Sequence, residues 1–212
     1  MHLAHKRGEL LAQVQPTNRP YHLPAMGKHI AYPANRDGVA ERFTDPAGQN
    51  SIEVDRSLIG YEDARLREGE LTLLKTAKPH EANTLYRLQT VPGIGKILSL
   101  VWLYEIHPID RFPRVQEFAS SCRLVKCAKE SNGKRSGTSG SNTGHAHLKW
   151  AFSEAAVLFL RDHPEGQKCL AKLEKKHGQG KALSILAHKW ARAVYDMLKR
   201  KVAFDMKRFL SD

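Results

Sequence analysis

The chain has 212 residues, of which 41% are hydrophobic and 26% are charged, a composition ordinary for a globular protein with one large core or two small ones. The 34 lysine and arginine residues exceed the 22 aspartate and glutamate residues, so the formal net charge is +12 at pH 7. Such a surplus attracts polyanions, above all the phosphate backbone of nucleic acid, although a basic protein without such a partner is the alternative. No apolar run reaches the roughly 18 residues that span a membrane and the N-terminus is charged, so neither a membrane span nor a signal peptide is expected and a cytoplasmic protein is predicted.

Residues 1–80 are predicted to form a helical connector. A helix over 2–15 ends at Pro16, an irregular proline-rich segment covers 16–38, and a short helix over 39–43 precedes a long one over 50–78. In the long helix Ile52, Ile59, Leu66 and Leu73 recur every seven residues, which is typical of a coiled coil and predicts a homo-oligomer. Packing on its own domain is an equal alternative, because Gly60 and Gly69 weaken the seam.

Pro79 ends this segment, and a second domain is predicted over residues 81–212. Apolar residues at helical spacing predict a mainly α-helical fold, with helices over 82–90, 96–106, 113–121, 145–161, 166–176 and 180–200. Between them, residues 122–144 are too polar for a core, although 122–127 could form a short strand. The three cysteines, Cys122, Cys127 and Cys169, lack zinc spacing, so no metal or cofactor is predicted and the thiols are expected to be buried or idle.

The sequence Pro92-Gly93-Ile94-Gly95-Lys96 predicts the hairpin of a helix-hairpin-helix element spanning about 82–106. Pro92 enforces a turn, and Gly93 and Gly95 permit backbone angles and close approaches that other residues do not. Amides at the start of the second helix, together with Lys96, would bind a DNA phosphate without reading its sequence. A tight helical corner without a ligand is the alternative.

Residues 127–144 are rich in serine, glycine and lysine and predict a polar loop. A long loop joining two well-patterned segments is uncommon unless it is functional. Its hydroxyls, together with Lys129, Lys134 and Arg135, suit a nucleophile that attacks phosphate, because the cations would neutralise the developing charge. Composition alone does not choose among Ser131, Ser136, Ser139 and Ser141, and a flexible linker is the default alternative.

Four motifs occur in a fixed order: Val91–Gly95, Arg111-Phe112-Pro113 followed by Phe118-Ala119-Ser120, Glu130–Arg135, and Gly144–Ala151. In this order they resemble the bacterial insertion-sequence transposases related to the Piv DNA invertase, some of which act as bridge-RNA-guided recombinases. The resemblance covers essentially the whole chain and is strongest over residues 85–200.

The resemblance implies that Ser131 is the catalytic serine and forms a transient phosphoserine link with DNA. It implies that Lys134 and Arg135 clamp phosphates and that Gly137 is a hinge. His145 stands where the family usually has asparagine and could still donate a hydrogen bond, and Lys149 is a further expected DNA contact. The chain has Asn142 where a lysine is usual, which removes one backbone contact. His145 and His147 form an H-x-H pair, but no third metal ligand is evident.

Members of this family also carry a RuvC-like domain with four acidic residues that bind Mg²⁺. No upstream segment of this chain fits that domain, since Asp37, Asp55 and Asp63 lie in or beside the connector helices. The expectation is therefore a truncated copy that binds DNA but is inactive alone. A guide RNA is a further partner implied by the resemblance, because some relatives use one. The alternative function is a non-enzymatic helix-hairpin-helix DNA-binding protein, to which basic residues along helix 180–200 would add backbone contacts.

Overall fold

The computed structural model describes residues 2–25, 30–131, 134–140 and 144–211, with backbone only at 78, 80, 126–131, 134–140 and 162. It confirms the mainly α-helical class. The helices are α1 (His2–Thr17), α2 (Pro46–Gln89), α3 (Lys96–Ile106), α4 (Val115–Ser121), α5 (Ala146–Asp162), α6 (Pro164–His177), α7 (Gln179–Arg200) and α8 (Met206–Ser211). Short 3-10 turns cover Pro33–Asn35, Ala40–Arg42 and Ile109–Arg111. No helix in the described ranges is long and apolar enough to cross a membrane.

The chain divides into two compact units, residues 1–73 and 74–212. Helix α2 continues past this division, and its one residue with non-helical backbone angles is Glu81 (φ −137°, ψ 32°), two residues after Pro79. The irregularity lies within one turn of Pro79, which has no backbone amide hydrogen to donate within the helix.

The first unit has a small apolar core closed by a buried ionic network. The core residues are Val14, Ile30, Val39, Phe43, Ile52 and Ile59. Ile52 and Ile59 are each 1% exposed, so the first half of the predicted heptad stripe packs within its own unit. Leu73, at the end of the stripe, is 47% exposed. Association through this helix remains a prediction.

In that network Arg36 is almost fully buried and donates Nη1 to Asp63 Oδ2 at 2.6 Å. The other guanidinium nitrogens donate to the carbonyls of Ile30 and Ala31 at 3.0 and 2.9 Å. Arg7 also pairs with Asp63. Asp63, noted in the sequence only as a carboxylate outside any metal set, therefore compensates a buried charge.

The second unit has a larger, aromatic core. Helix α7 packs against α4, α5 and α6, and α3 packs against α5. Trp102 stacks on Phe152 with ring centroids 5.0 Å apart, and Trp190 stacks on Phe209 at 4.1 Å. The predicted helix over 96–106 agrees with α3, which begins at an extended Gly95 and ends before His107.

The expectation of a polar loop over 127–144 is wrong for most of its length. Strands β1 (Lys126–Ser131) and β2 (Lys134–Gly140) form an antiparallel hairpin. A two-stranded hairpin satisfies the backbone donors and acceptors of a segment that has no apolar face to bury, which hydropathy patterning does not detect. The signal present in the sequence is Asn132-Gly133, the dipeptide preferred in two-residue hairpin connections.

Candidate nucleic-acid interface

The predicted hairpin at 90–95 is a tight connection between α2 and α3. The amides of Thr90, Val91 and Ile94 donate to the carbonyls of Arg87, Leu88 and Val91 at 3.0, 3.3 and 3.1 Å. Val91 and Ile94 are buried, at 2% and 7% exposure, and so fix the turn to the core of the second unit. The turn is also tied to the C-terminal segment, because Phe204 N donates to Thr90 Oγ1 at 2.9 Å.

The two glycines of this turn have different surroundings. Gly93 has φ +77°, and a Cβ there would lie 3.1 Å from backbone atoms of Leu158 and Phe159 in α5. Gly95 has ordinary extended angles (φ −86°, ψ −176°), and a Cβ there would meet nothing within 4 Å. Gly93 is therefore required for packing against α5, whereas Gly95 leaves open space in front of the helix start.

The start of α3 has the features of an anion site. Gly95 is the N-cap residue and provides no side-chain cap hydrogen bond. The first amides of any α-helix have no acceptor within the helix, and the helix dipole makes them attractive to anions. Gly95, Lys96 and Ile97 are exposed, so a phosphate could approach these amides together with the Lys96 ammonium.

The hairpin determines the backbone setting of the predicted serine. Ser131 is the last residue of β1 and pairs with Lys134, and Glu130 pairs with Arg135. Lys129 pairs with Gly137, so the register skips Ser136 and a β-bulge lies between these pairs. Because a strand rises about 3.3 Å per residue, Ser131 at the end of β1 lies about 17 Å along the strand from Lys126. The side chains of Lys129, Ser131, Lys134 and Arg135 lie outside the described part of the structure.

His145 lies at the start of α5, where the chain leaves Gly144. Gly144 has φ +109°, and a Cβ there would lie 2.6 Å from the Ser121 carbonyl oxygen. The His145 amide donates to that same oxygen at 2.8 Å, and Arg123 Nε donates to the Gly144 carbonyl at 2.8 Å. These contacts fix the start of α5 to the end of α4.

Glu105 of α3 brings the two histidines of the H-x-H pair together. Its carboxylate oxygens lie 3.5 Å from His145 Nδ1 and 3.4 Å from His147 Nδ1. All three side chains are at least one-third exposed. No set of three histidine, cysteine, aspartate or glutamate side chains in the described ranges is arranged to hold a metal ion. Sequence inspection missed Glu105, because nothing in its neighbourhood indicates a partner some forty residues away.

The predicted DNA-contact residues fall into separate groups. Gly95 and Lys96 are at the first turn of α3, while His145 and the exposed Lys149 are at the first turn of α5. Glu105, the partner of His145, is near the other end of α3, about 14 Å along the helix from Lys96 at 1.5 Å per residue. Among the side chains that the structure describes, the predicted contacts therefore form two exposed polar groups, one at the start of each helix.

The remaining shared motif belongs to the core. Phe118 and Ala119 are buried, at 0% and 1% exposure. The Tyr195 hydroxyl lies 3.0 Å from the carbonyl oxygens of both Phe112 and Pro113, which attaches this segment to α7. Beside it, burial raises the pKa of the Cys122 thiol to about 12, so that thiol is an unsuitable nucleophile.

Comparison with known families places these features in one matched segment. Residues 85–170 match the model described as the Transposase IS116/IS110/IS902 family. This segment is therefore similar to an insertion-sequence transposase, a similarity that supports a general role in DNA transposition or recombination. The matched residues include the 90–95 turn, the hairpin and the start of α5. No curated protein matches the chain.

Proposed function

We propose that this chain provides the DNA-binding and strand-transfer part of an insertion-sequence transposase, with Ser131 as the nucleophile. The observation that carries the proposal is the family match over residues 85–170, which spans the hairpin on which Ser131 lies. The cross-strand partners of Ser131 and Glu130 are Lys134 and Arg135, so two cations are linked by backbone pairing to the serine position.

In the proposed reaction the Ser131 hydroxyl oxygen attacks a DNA phosphorus atom. A phosphoserine ester bond forms, the bond from phosphorus to one sugar oxygen breaks, and the serine proton goes to the departing sugar oxygen. One phosphoester replaces another, so the reverse reaction rejoins strands without a nucleotide cofactor. Lys134 and Arg135 would stabilise the negative charge that develops on phosphate. By family resemblance, a RuvC-like domain would supply Mg²⁺ chemistry, and a guide RNA would be a further partner.

The experiment is a covalent-adduct assay on DNA containing the ends of the element that encodes this chain. A RuvC-like domain from a full-length relative is supplied in trans, and the products are separated under denaturing conditions. We expect a protein–DNA adduct with wild type and with Ser136→Ala, and none with Ser131→Ala. An adduct that persists in Ser131→Ala, or that is lost equally in Ser136→Ala, would contradict the assignment of Ser131.

A second candidate, a DNA-binding module without its own chemistry, is favoured by the open start of α3. It uses the first-turn amides and Lys96 as a phosphate contact and does not need Ser131. Lys96→Ala should weaken duplex binding about tenfold and reduce the slope of log affinity against log salt by about one, the effect of one lost phosphate contact. Lys75→Ala, the same change at an exposed position of α2, is the matched control. Equal effects of the two variants would remove the α3 contact from the account.

A further inference from the structure

A groove in the second unit lies apart from the segments discussed above. It runs between α7 and the residues that follow it, 202–209, and has a volume of about 460 Å³. Sites for small molecules and cofactors commonly have volumes of about 300–1,000 Å³. Its apolar lining comes from Ile185, Ala193 and Met197 of α7 and from Val202, Ala203 and Phe204.

The wall of this groove is a packed aromatic cluster. Phe209 stacks on Trp190 at 4.1 Å, and Phe204 lies 5.2 Å from Trp190 and 5.5 Å from Phe209. Phe209 is 4% exposed, and the backbone of Phe204 is attached to Thr90. The shape of the groove is therefore fixed before any ligand binds, which lowers the entropic cost of binding.

The rim of the groove has an uncompensated positive charge. Both acidic residues on the rim are engaged: Asp196 accepts from Arg208 at 2.7 Å, and Asp205 Oδ1 accepts from the amides of Lys207 and Arg208 that begin α8. Arg192 is exposed and has no ion-pair partner among the described residues. Lys189 Nζ lies 5.1 Å from the centre of the Phe209 ring.

A further basic side chain of the groove, His188, has its pKa shifted by burial and by the neighbouring Arg192. Its burial, and then the charge of Arg192, lower the pKa of the imidazole, so it is neutral at pH 7 and adds no charge of its own. Arg192 and Lys189 thus remain as cations beside an apolar recess. This combination suits an anion that has a flat apolar part. The groove lies in the second unit, which also contains the residues that match the transposase family model.

A nucleotide with an unpaired base has both features. A duplex presents phosphates but hides the base faces, whereas a single strand presents phosphates and exposed bases together. An acidic peptide would match the charge but would fill the recess with a flat ring only if it carried an aromatic side chain, and so is the competitor in the test below. Building on the proposed function, which makes DNA the partner, we propose that this groove binds one nucleotide of single-stranded nucleic acid, with the base in the recess and the adjacent phosphate at Arg192 and Lys189.

The test uses fluorescence anisotropy with a labelled thymidine octamer, an abasic octamer of equal charge, and the thymidine octamer in duplex form. Arg192→Ala should weaken binding of the thymidine octamer about tenfold, the effect of losing one charge-assisted contact. Arg200→Ala removes the same charge from an exposed position of α7 that does not line the groove, and should change affinity less than about twofold. The abasic octamer should bind more weakly than the thymidine octamer and should not distinguish the two variants.

Two results would overturn the proposed nucleotide site while leaving duplex binding intact. One is equal affinity for the abasic and thymidine octamers, and the other is equal effects of Arg192→Ala and Arg200→Ala. Displacement of the thymidine octamer by an acidic aromatic peptide at equal concentration would also overturn it, because that would assign the groove to a protein partner. Absence of binding to every DNA, duplex included, would remove the proposed function together with the groove.

Discussion

The two units of this chain are stabilised in different ways. The second unit buries stacked aromatic rings, including Trp102, Phe152, Trp190 and Phe209, with few polar groups among them. The described part of the first unit has six buried apolar residues and depends in addition on the charges of Arg7, Arg36 and Asp63. Stability from apolar burial does not depend directly on protonation, whereas a buried ion pair fails when one partner is lost. The segment that matches the transposase family model, residues 85–170, lies in the second unit, which is stabilised mainly by apolar burial.

This difference can be measured unit by unit. All three tryptophans, Trp102, Trp150 and Trp190, are in the second unit, so tryptophan fluorescence reports on its unfolding alone. Far-ultraviolet circular dichroism reports on helices of both units. A variant that changes circular dichroism alone therefore destabilises the first unit, whereas one that destabilises the second unit changes both signals.

The largest expected effect is on the second unit. Gly93→Ala should reduce its free energy of unfolding by about 2–4 kcal/mol, because a left-handed alanine costs about 1–2 kcal/mol and the contact with the α5 backbone adds a similar strain. Gly95→Ala, two residues away in open space, should cost less than about 1 kcal/mol. Urea unfolding followed by tryptophan fluorescence gives both values. Similar losses for the two variants would contradict the close approach to α5.

The next effect is on the first unit. Asp63→Asn leaves the buried Arg36 without its carboxylate and should destabilise this unit by about 2–3 kcal/mol. Asp37→Asn is the control, since Asp37 is 86% exposed and its pair with Arg56 at 3.4 Å is open to solvent. Circular dichroism should show an earlier unfolding step for Asp63→Asn while tryptophan fluorescence is unchanged. A shift in both signals would mean that the units do not unfold independently.

Acid should destabilise the first unit before the second, as Asp63→Asn does. Burial alone raises the pKa of Asp63, but hydrogen bonds from Arg7 and Arg36 outweigh it, so the net pKa lies below the ordinary 3.8. The stabilisation is then complete above about pH 4 and is lost as the pH falls through the lowered pKa. We expect the circular dichroism of wild type to lose its first-unit component below pH 4, before the fluorescence changes. An unaltered acid transition in Asp63→Asn would rule out this carboxylate as its cause.

The smallest effect concerns two thiols of the second unit. Cys122 is buried with a raised pKa, while Cys169 is only partly buried. In a Cys127→Ser background, a thiol reagent should modify the partly buried Cys169 quickly. It should modify the buried Cys122 only when urea unfolds the second unit. Rapid modification of both in the native protein would contradict the burial of Cys122.

Sequence patterning predicted helices well and the polar segment poorly. Helix α3 is apolar over most of its surface and follows a glycine, and α7 has a strong apolar face, so their limits agree with the predicted 96–106 and 180–200 to within a residue. The 126–140 hairpin has no apolar face, and only its Asn-Gly pair indicated a turn.

The candidate site shows the same division. The turn at Gly93 could be predicted because proline fixes the backbone locally and glycine permits the left-handed angles of the turn. The Glu105–His145 contact and the packing of Gly93 on α5 could not, because both depend on how distant helices meet. The role of Ser131 rests on family resemblance and stays a prediction.

The most direct test of the account is an electrophoretic mobility shift of the wild-type chain on duplex DNA across a salt series. A DNA-binding transposase segment predicts a complex at low salt whose log affinity falls linearly with log salt, with a slope of about −0.9 for each phosphate contacted. A folded chain, verified by its tryptophan fluorescence, that forms no complex at low salt would contradict the proposal that this protein acts on DNA.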